Sequence, residues 1–111
     1  MVDMVRIDYD EEFDILYLRK ENEKVSFSIK LGKNILIDVT RFNKIVGIEI
    51  FNASKTLKLS IEELKNIKVA NFHTIDRPNM YGVSYMIAVG KSQIESEFSV
   101  SPNPIPIQLY K

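Results

Sequence analysis

Four carboxylates, Asp10, Asp14, Asp38 and Glu49, are the side chains whose type and spacing could do chemistry together. Two carboxylates held within a few ångströms raise a pKa or invite a cation, and such a pair can serve as general acid and base. Asp10 and Asp14 flank a predicted turn, Asp38 ends a predicted strand and Glu49 lies inside the next one. A folded sheet could gather them at one edge as a cation or small-ligand site with weak hydrolytic chemistry. The plainer expectation is that Asp10 and Asp14 accept hydrogen bonds from turn amides while Glu49 pairs across strands with Arg or Lys.

Other reactive types are sparse. His73 is the one histidine, has no ligand partners at a recognised spacing, and is expected to be a half-buried strand residue. Cysteine is absent, which excludes disulfides, thiolate chemistry and cysteine metal sites. The four glycines are too widely spaced to write a dinucleotide fingerprint or a P-loop. Gly82-Val83-Ser84-Tyr85-Met86 begins like a nucleophile elbow, but it lacks the closing glycine and sits in a strand pattern. No catalytic residue is assigned, no cofactor is expected, and the balance is against an enzyme.

The elements that must position these residues are mostly strands. Val5, Ile7 and Tyr9 alternate with Arg6 and Asp8, giving one dry and one wet face. After the polar turn Asp10-Glu11-Glu12-Phe13-Asp14 comes Ile15-Leu16-Tyr17-Leu18, apolar on both faces and expected to be central and covered on both sides. Val25, Phe27, Ile29 and Leu31 form a third alternation, Ile35, Ile37 and Val39 a fourth, and Ile45–Phe51 a fifth. Gly47, inside the fifth, is a candidate for a bulge or a close approach. Five strands about ten residues apart on short connections predict an antiparallel meander.

The period then changes. Ser60-Ile61-Glu62-Glu63 reads as a capping box, and Ile61, Leu64 and Ile67 follow at helical spacing, predicting one helix of about two turns docked on the sheet. Asn52-Ala53-Ser54-Lys55 reads as an extra turn before it. Residues 69–75 suit a further strand. Val83, Tyr85, Ile87 and Val89 pair by pattern with Ile94, Ser96, Phe98 and Val100 around a tight turn at Gly90-Lys91. Pro102, Pro104 and Pro106 make the tail an edge strand or an extended arm. The expected fold is α+β, an antiparallel meander with one short helix, then a C-terminal hairpin and arm, in one domain over residues 1–111.

Composition bounds the partners. The chain has 111 residues, 15 basic and 15 acidic side chains, and a formal net charge of zero, which argues against binding DNA through overall positive charge. That zero is a sum of unlike parts. Residues 1–23 carry eight acids against Arg6, Arg19 and Lys20, whereas residues 24–68 carry nine bases against Asp38, Glu49, Glu62 and Glu63. The basic middle segment, with Phe42 and Phe51 as stacking platforms, could face nucleic acid, but most of its lysines fall on turns or a wet helix face, so that partner is disfavoured. No apolar run approaches the ~18 residues that span a bilayer, and the N-terminus lacks a leader pattern, so a cytoplasmic protein with no membrane contact is expected.

Tyr9-Asp10, Asp14 with Leu16-Tyr17-Leu18, Ile35-Leu36-Ile37-Asp38, and Ile45-Val46-Gly47-Ile48-Glu49-Ile50 with Ala53-Ser54 resemble a small prokaryotic family. It is the domain-of-unknown-function family numbered twenty-two eighty-three. The resemblance covers about residues 4–59, and Gly-Ile-Glu-Ile-x-x-Ala-Ser is its most specific stretch. It implies a compact antiparallel sheet followed by a short helix, no established activity, and an antitoxin-like partner role. Residues 60–111 extend beyond the usual short form of that family. The tail adds Ile105, Ile107, Leu109 and Tyr110 as candidate partner-binding residues, since an apolar arm can add to a sheet edge of its own or another subunit. A protein partner or self-association, as a dimer or higher oligomer, is the expectation carried forward.

Overall fold

The computed structural model describes residues 5–74 and 81–100. Alternation places one apolar face on each of five strands: β1 (Val5–Asp10), β2 (Ile15–Lys20), β3 (Phe27–Leu31), β4 (Ile35–Val39) and β5 (Ile45–Phe51). They form one antiparallel sheet in the order β1-β2-β5-β4-β3. This corrects the predicted meander. β2 pairs with β5 rather than with β3, and residues 21–26 carry the chain from β2 to the far edge, a Greek-key arrangement. The crossing spans three strand spacings, about 14 Å, which six residues can bridge.

Two short helices follow where one was predicted. α1 (Ala53–Leu57) begins after Asn52 and ends at Lys58, both in the left-handed region at φ 51 and φ 56. α2 (Ile61–Leu64) is a single turn, shorter than the periodicity suggested, and its capping box forms: Ser60 Oγ accepts from the Glu63 amide at 3.0 Å, and Glu63 accepts from the Ser60 amide at 2.9 Å. β6 (Val69–Thr74), β7 (Tyr81–Val89) and β8 (Ser92–Val100) then form a second antiparallel sheet in that order. The predicted hairpin is therefore a three-stranded sheet, with the turn at Gly90 adopting φ +55 as its glycine permits. The fold is α+β and mostly antiparallel sheet. The proline-rich arm lies outside the described residues.

One core joins both sheets. Leu16, Leu18, Ile37, Ile48 and Ile50 from the five-stranded sheet, Phe72, Val83 and Ile87 from the three-stranded one, and Leu57 and Leu64 from the helices are buried in a single cluster. The inner face of the larger sheet is thus covered. Its outer face carries Ile15, Tyr17, Leu36 and Phe51, which are half-buried yet take no part in that cluster. The expectation that β2 is covered on both sides fails here: Leu16 and Leu18 are fully buried, while Ile15 and Tyr17 keep part of their surface in solvent.

Candidate functional site

The register sorts the four carboxylates. Asp10 sits at the end of β1, and its Oδ1 accepts the Phe13 amide at 3.1 Å, which is turn chemistry. Asp14 follows in the same turn at φ 55, a conformation Asp tolerates better than most residues. Its Oδ1 accepts Tyr9 Oη at 2.7 Å and the Ser54 amide at 3.1 Å; its Oδ2 accepts Ser54 Oγ at 2.7 Å. The Asp14 carbonyl also accepts the Ala53 amide at 2.9 Å. One residue thereby ties the β1–β2 turn to the first turn of α1, 40 residues away.

Burial desolvates the Asp14 carboxyl and would raise it, but hydrogen bonds from Ser54 and Tyr9 and the charge of Lys55 together hold it below its ordinary 3.8. The Tyr9 hydroxyl is pushed up to about 12, by burial and then by the carboxylate it donates to. Every acceptor oxygen here already has a donor.

Asp38 and Glu49 meet elsewhere, on the outer face. Asp38 faces Gly47 across β4–β5 and Ser28 across β3–β4, while Glu49 faces Tyr17 across β2–β5 and Leu36 across β4–β5. Tyr17 Oη donates to Asp38 Oδ2 at 2.6 Å, reaching from β2 over the intervening β5, and Ser28 Oγ donates to Asp38 Oδ1 at 2.7 Å. Gly47 makes that reach possible: a Cβ there would lie 2.8 Å from Asp38 Oδ2 and 3.2 Å from Asp38 Cβ. The interior glycine of the fifth strand is thus the predicted close approach, beside a register shift between Asp38 and Val39. Three strands, β2, β3 and β4, are linked over Gly47 of β5 through the carboxylate of a residue that is only 6 % exposed.

Glu49 has no hydrogen-bond donor among the described residues. Desolvation, then the charge of Asp38, raises its pKa above the ordinary 4.5. The Tyr17 hydroxyl is raised to about 12, chiefly by burial and then by its bond to Asp38. The structure therefore brings Asp38 and Glu49 together and keeps Asp10 and Asp14 at the turn end of the sheet. Among the described residues, no group of three or more His, Asp or Glu could hold a metal.

The remaining candidates scatter. His73 is exposed on β6 opposite Ser84, not half-buried as predicted, because its neighbours Ala70 and Phe72 take the inward positions. Ile105, Ile107, Leu109 and Tyr110 lie outside the described residues. The basic residues divide between opposite ends of the sheet, Lys24 and Arg41 at one and Lys33 and Lys55 at the other. Two lysines join the acidic first segment to the basic middle one, Lys44 to Glu23 at 3.0 Å and Lys65 to Glu11 at 3.4 Å. Sequence reasoning missed an open groove of about 570 Å³ lined by Glu23, Lys24, Ser26, Thr40, Arg41 and Phe42. Arg41 stacks on Phe42 there at 4.9 Å, and Thr40 Oγ1 accepts the Phe42 and Lys44 amides at 3.2 Å each. Its residues come from two turns that alternation does not place side by side.

Residues 6–54 match the family model described as Protein of unknown function (DUF2283). The matched segment runs from β1 into α1 and contains both carboxylate clusters. A Methanosarcina mazei protein provisionally named hypoxanthine phosphoribosyltransferase is 37 % identical over 65 residues, which is 59 % of this chain and 52 % of that protein. An uncharacterised Methanocaldococcus jannaschii protein is 44 % identical over 64 residues, covering 57 % of this chain and 54 % of its own length. The chain spans about half the length of these curated relatives. No solved structure gives a significant match.

Proposed function

We propose that the chain is a non-enzymatic protein-interaction domain whose working surface is the outer face of the five-stranded sheet. The observation that carries this reading is the set Ile15, Tyr17, Leu36 and Phe51, apolar side chains on a face whose opposite side is the one packed into the core. Apolar side chains grouped on an uncovered face and rimmed by charge mark a partner-binding patch; here Tyr17 and Leu36 flank Glu49, and Ile15 and Phe51 lie beside them. Asp8 and Lys30 supply such a rim at the two edge strands. Asp14 reads as structural because its oxygens are engaged by Tyr9 and Ser54, and Asp38 bridges strands. An antitoxin-like partner role, a cytoplasmic setting and an oligomeric state belong to the same reading, with the apolar tail residues Ile105, Ile107, Leu109 and Tyr110 as a second contact.

Affinity capture from the native host with the wild-type chain and with Leu36→Glu tests it. A protein retained by the wild type and lost by the variant, with the variant's circular dichroism unchanged, supports the reading. Identical retention by both contradicts it. The cation-site alternative makes a separate forecast: calcium or magnesium would raise the melting temperature of the wild type and not of Glu49→Gln.

A further inference from the structure

We propose that the outer face of the five-stranded sheet pairs with the same face of a second copy, about a two-fold axis running along β5. This deepens the protein-interaction reading and rests on it. The register fixes what lies on that face. One row across the sheet reads Asp8, Tyr17, Glu49, Leu36, Lys30, and the adjacent row reads Arg6, Arg19, Gly47, Asp38, Ser28. β5 is the middle strand of five, so a two-fold along it lays β1 of one copy over β3 of the other, and β2 over β4.

The sequence of each row is complementary under that operation. Asp8 of one copy faces Lys30 of the other at both edges; both residues are exposed and have no ion pair among the described residues. Arg19 comes to lie over the Asp38 and Glu49 carboxylates of the second copy, and Tyr17 lies over Leu36. These contacts occur twice, as an isologous interface requires. A two-fold running across the strands instead lays β3 over β3 and β1 over β1, opposing Lys30 to Lys30 and Asp8 to Asp8. Charge therefore selects the first arrangement.

The geometry is that of aligned sheet packing, with faces about 10 Å apart and strands crossed by about 30°, so the two-fold passes over β5 inclined to it by about 15°. Such a crossing displaces the edge strands by about 5 Å, a distance the Lys30 side chain can span. The footprint, about 24 Å by 20 Å, places the contact at the small end of specific interfaces, so the dimer is expected to be weak and concentration-dependent. The cost sits on the axis, where Glu49 meets its own copy. That carboxyl has no hydrogen-bond donor among the described residues and is already partly desolvated.

Sedimentation equilibrium of the full chain from about 5 µM to about 1 mM tests the proposal. The wild type is expected to dimerise, and Lys30→Asp to weaken the dimer about tenfold, because both symmetric contacts turn from attraction to repulsion. Asp8→Lys combined with Lys30→Asp restores opposite charges at both contacts and is expected to recover most of the loss. Glu49→Gln is expected to tighten the dimer by removing the like charges on the axis. A wild-type monomer at the highest concentration overturns the proposal. So does a dimer indifferent to Lys30→Asp, which points to the tail or another face, or a double swap that fails to recover while retaining its circular dichroism. A wild-type monomer that still captures a host protein through Leu36 defeats self-pairing and leaves the interaction reading standing; loss of both defeats both.

Discussion

Two tyrosine–carboxylate–serine clusters, built from the same three residue types, do different work. Tyr9, Asp14 and Ser54 close the end of the molecule, where a turn carboxylate caps the chain entering α1 and every acceptor is engaged. Tyr17, Asp38 and Ser28 lie on the open face of the sheet, bridging strands above Gly47, with Glu49 beside them lacking a donor among the described residues. The difference lies in what surrounds the carboxyl. Asp14 draws on a backbone amide, two hydroxyls and the charge of Lys55, which outweigh its desolvation, whereas Glu49 meets only desolvation and a second carboxylate. The first arrangement stores stability. The second is a place where an added positive charge would be welcome.

The largest break in this comparison is Asp14→Ala. It removes a charged acceptor from Tyr9 and Ser54 and leaves alanine at a positive φ, so a loss of about 3–4 kcal/mol is expected by urea denaturation. Gly47→Ala should cost about 2–3 kcal/mol, because the new Cβ displaces Asp38 from Tyr17 and Ser28; Tyr17→Phe in the same background should add little further loss, since the bond is already broken.

Smaller effects come from pH, with opposite signs for the two clusters. The folded pKa of Asp14 is depressed, so its stabilisation is present above 3.8 and is lost as pH falls through the lower folded value. The folded pKa of Glu49 is raised, so its contribution is present below 4.5 and is lost as pH rises through the higher folded value. Glu49→Gln should therefore flatten the stability profile above 4.5 and leave the acid limb intact, while Asp14→Asn flattens the acid limb alone. Denaturation midpoints measured from about pH 2 to about pH 8 separate the two.

Much of this was legible in the chain. The alternation of Val5, Ile7 and Tyr9 and of Ile35, Ile37 and Val39 fixed which faces are dry, and the glycine inside Ile45–Phe51 marked a close approach. The capping box at Ser60 and Glu63 was readable because it is local. Strand order was not, because alternation is indifferent to which neighbour a strand takes, and β2 finds β5 across a separation no turn signal encodes. The same holds for the site. Tyr17 and Asp38 are 21 residues apart and Asp14 and Ser54 are 40 apart, so each carboxylate's partners emerge only once β5 and α1 are in place. His73 is exposed rather than half-buried because the inward phase of β6 falls on Ala70 and Phe72.

The central claim is that the Asp38–Glu49 face pairs with the same face of a second copy while the Asp14 cluster holds the fold. Backbone amide shifts of the labelled chain, followed by NMR as its concentration rises from about 20 µM to about 1 mM, test it most directly. Concentration-dependent shifts confined to Tyr17, Leu36, Glu49 and their outward neighbours, with Asp14 and Ser54 unmoved, are the predicted result. Shifts centred on Ser54 and α1, or none on the outer face at any concentration, would contradict it.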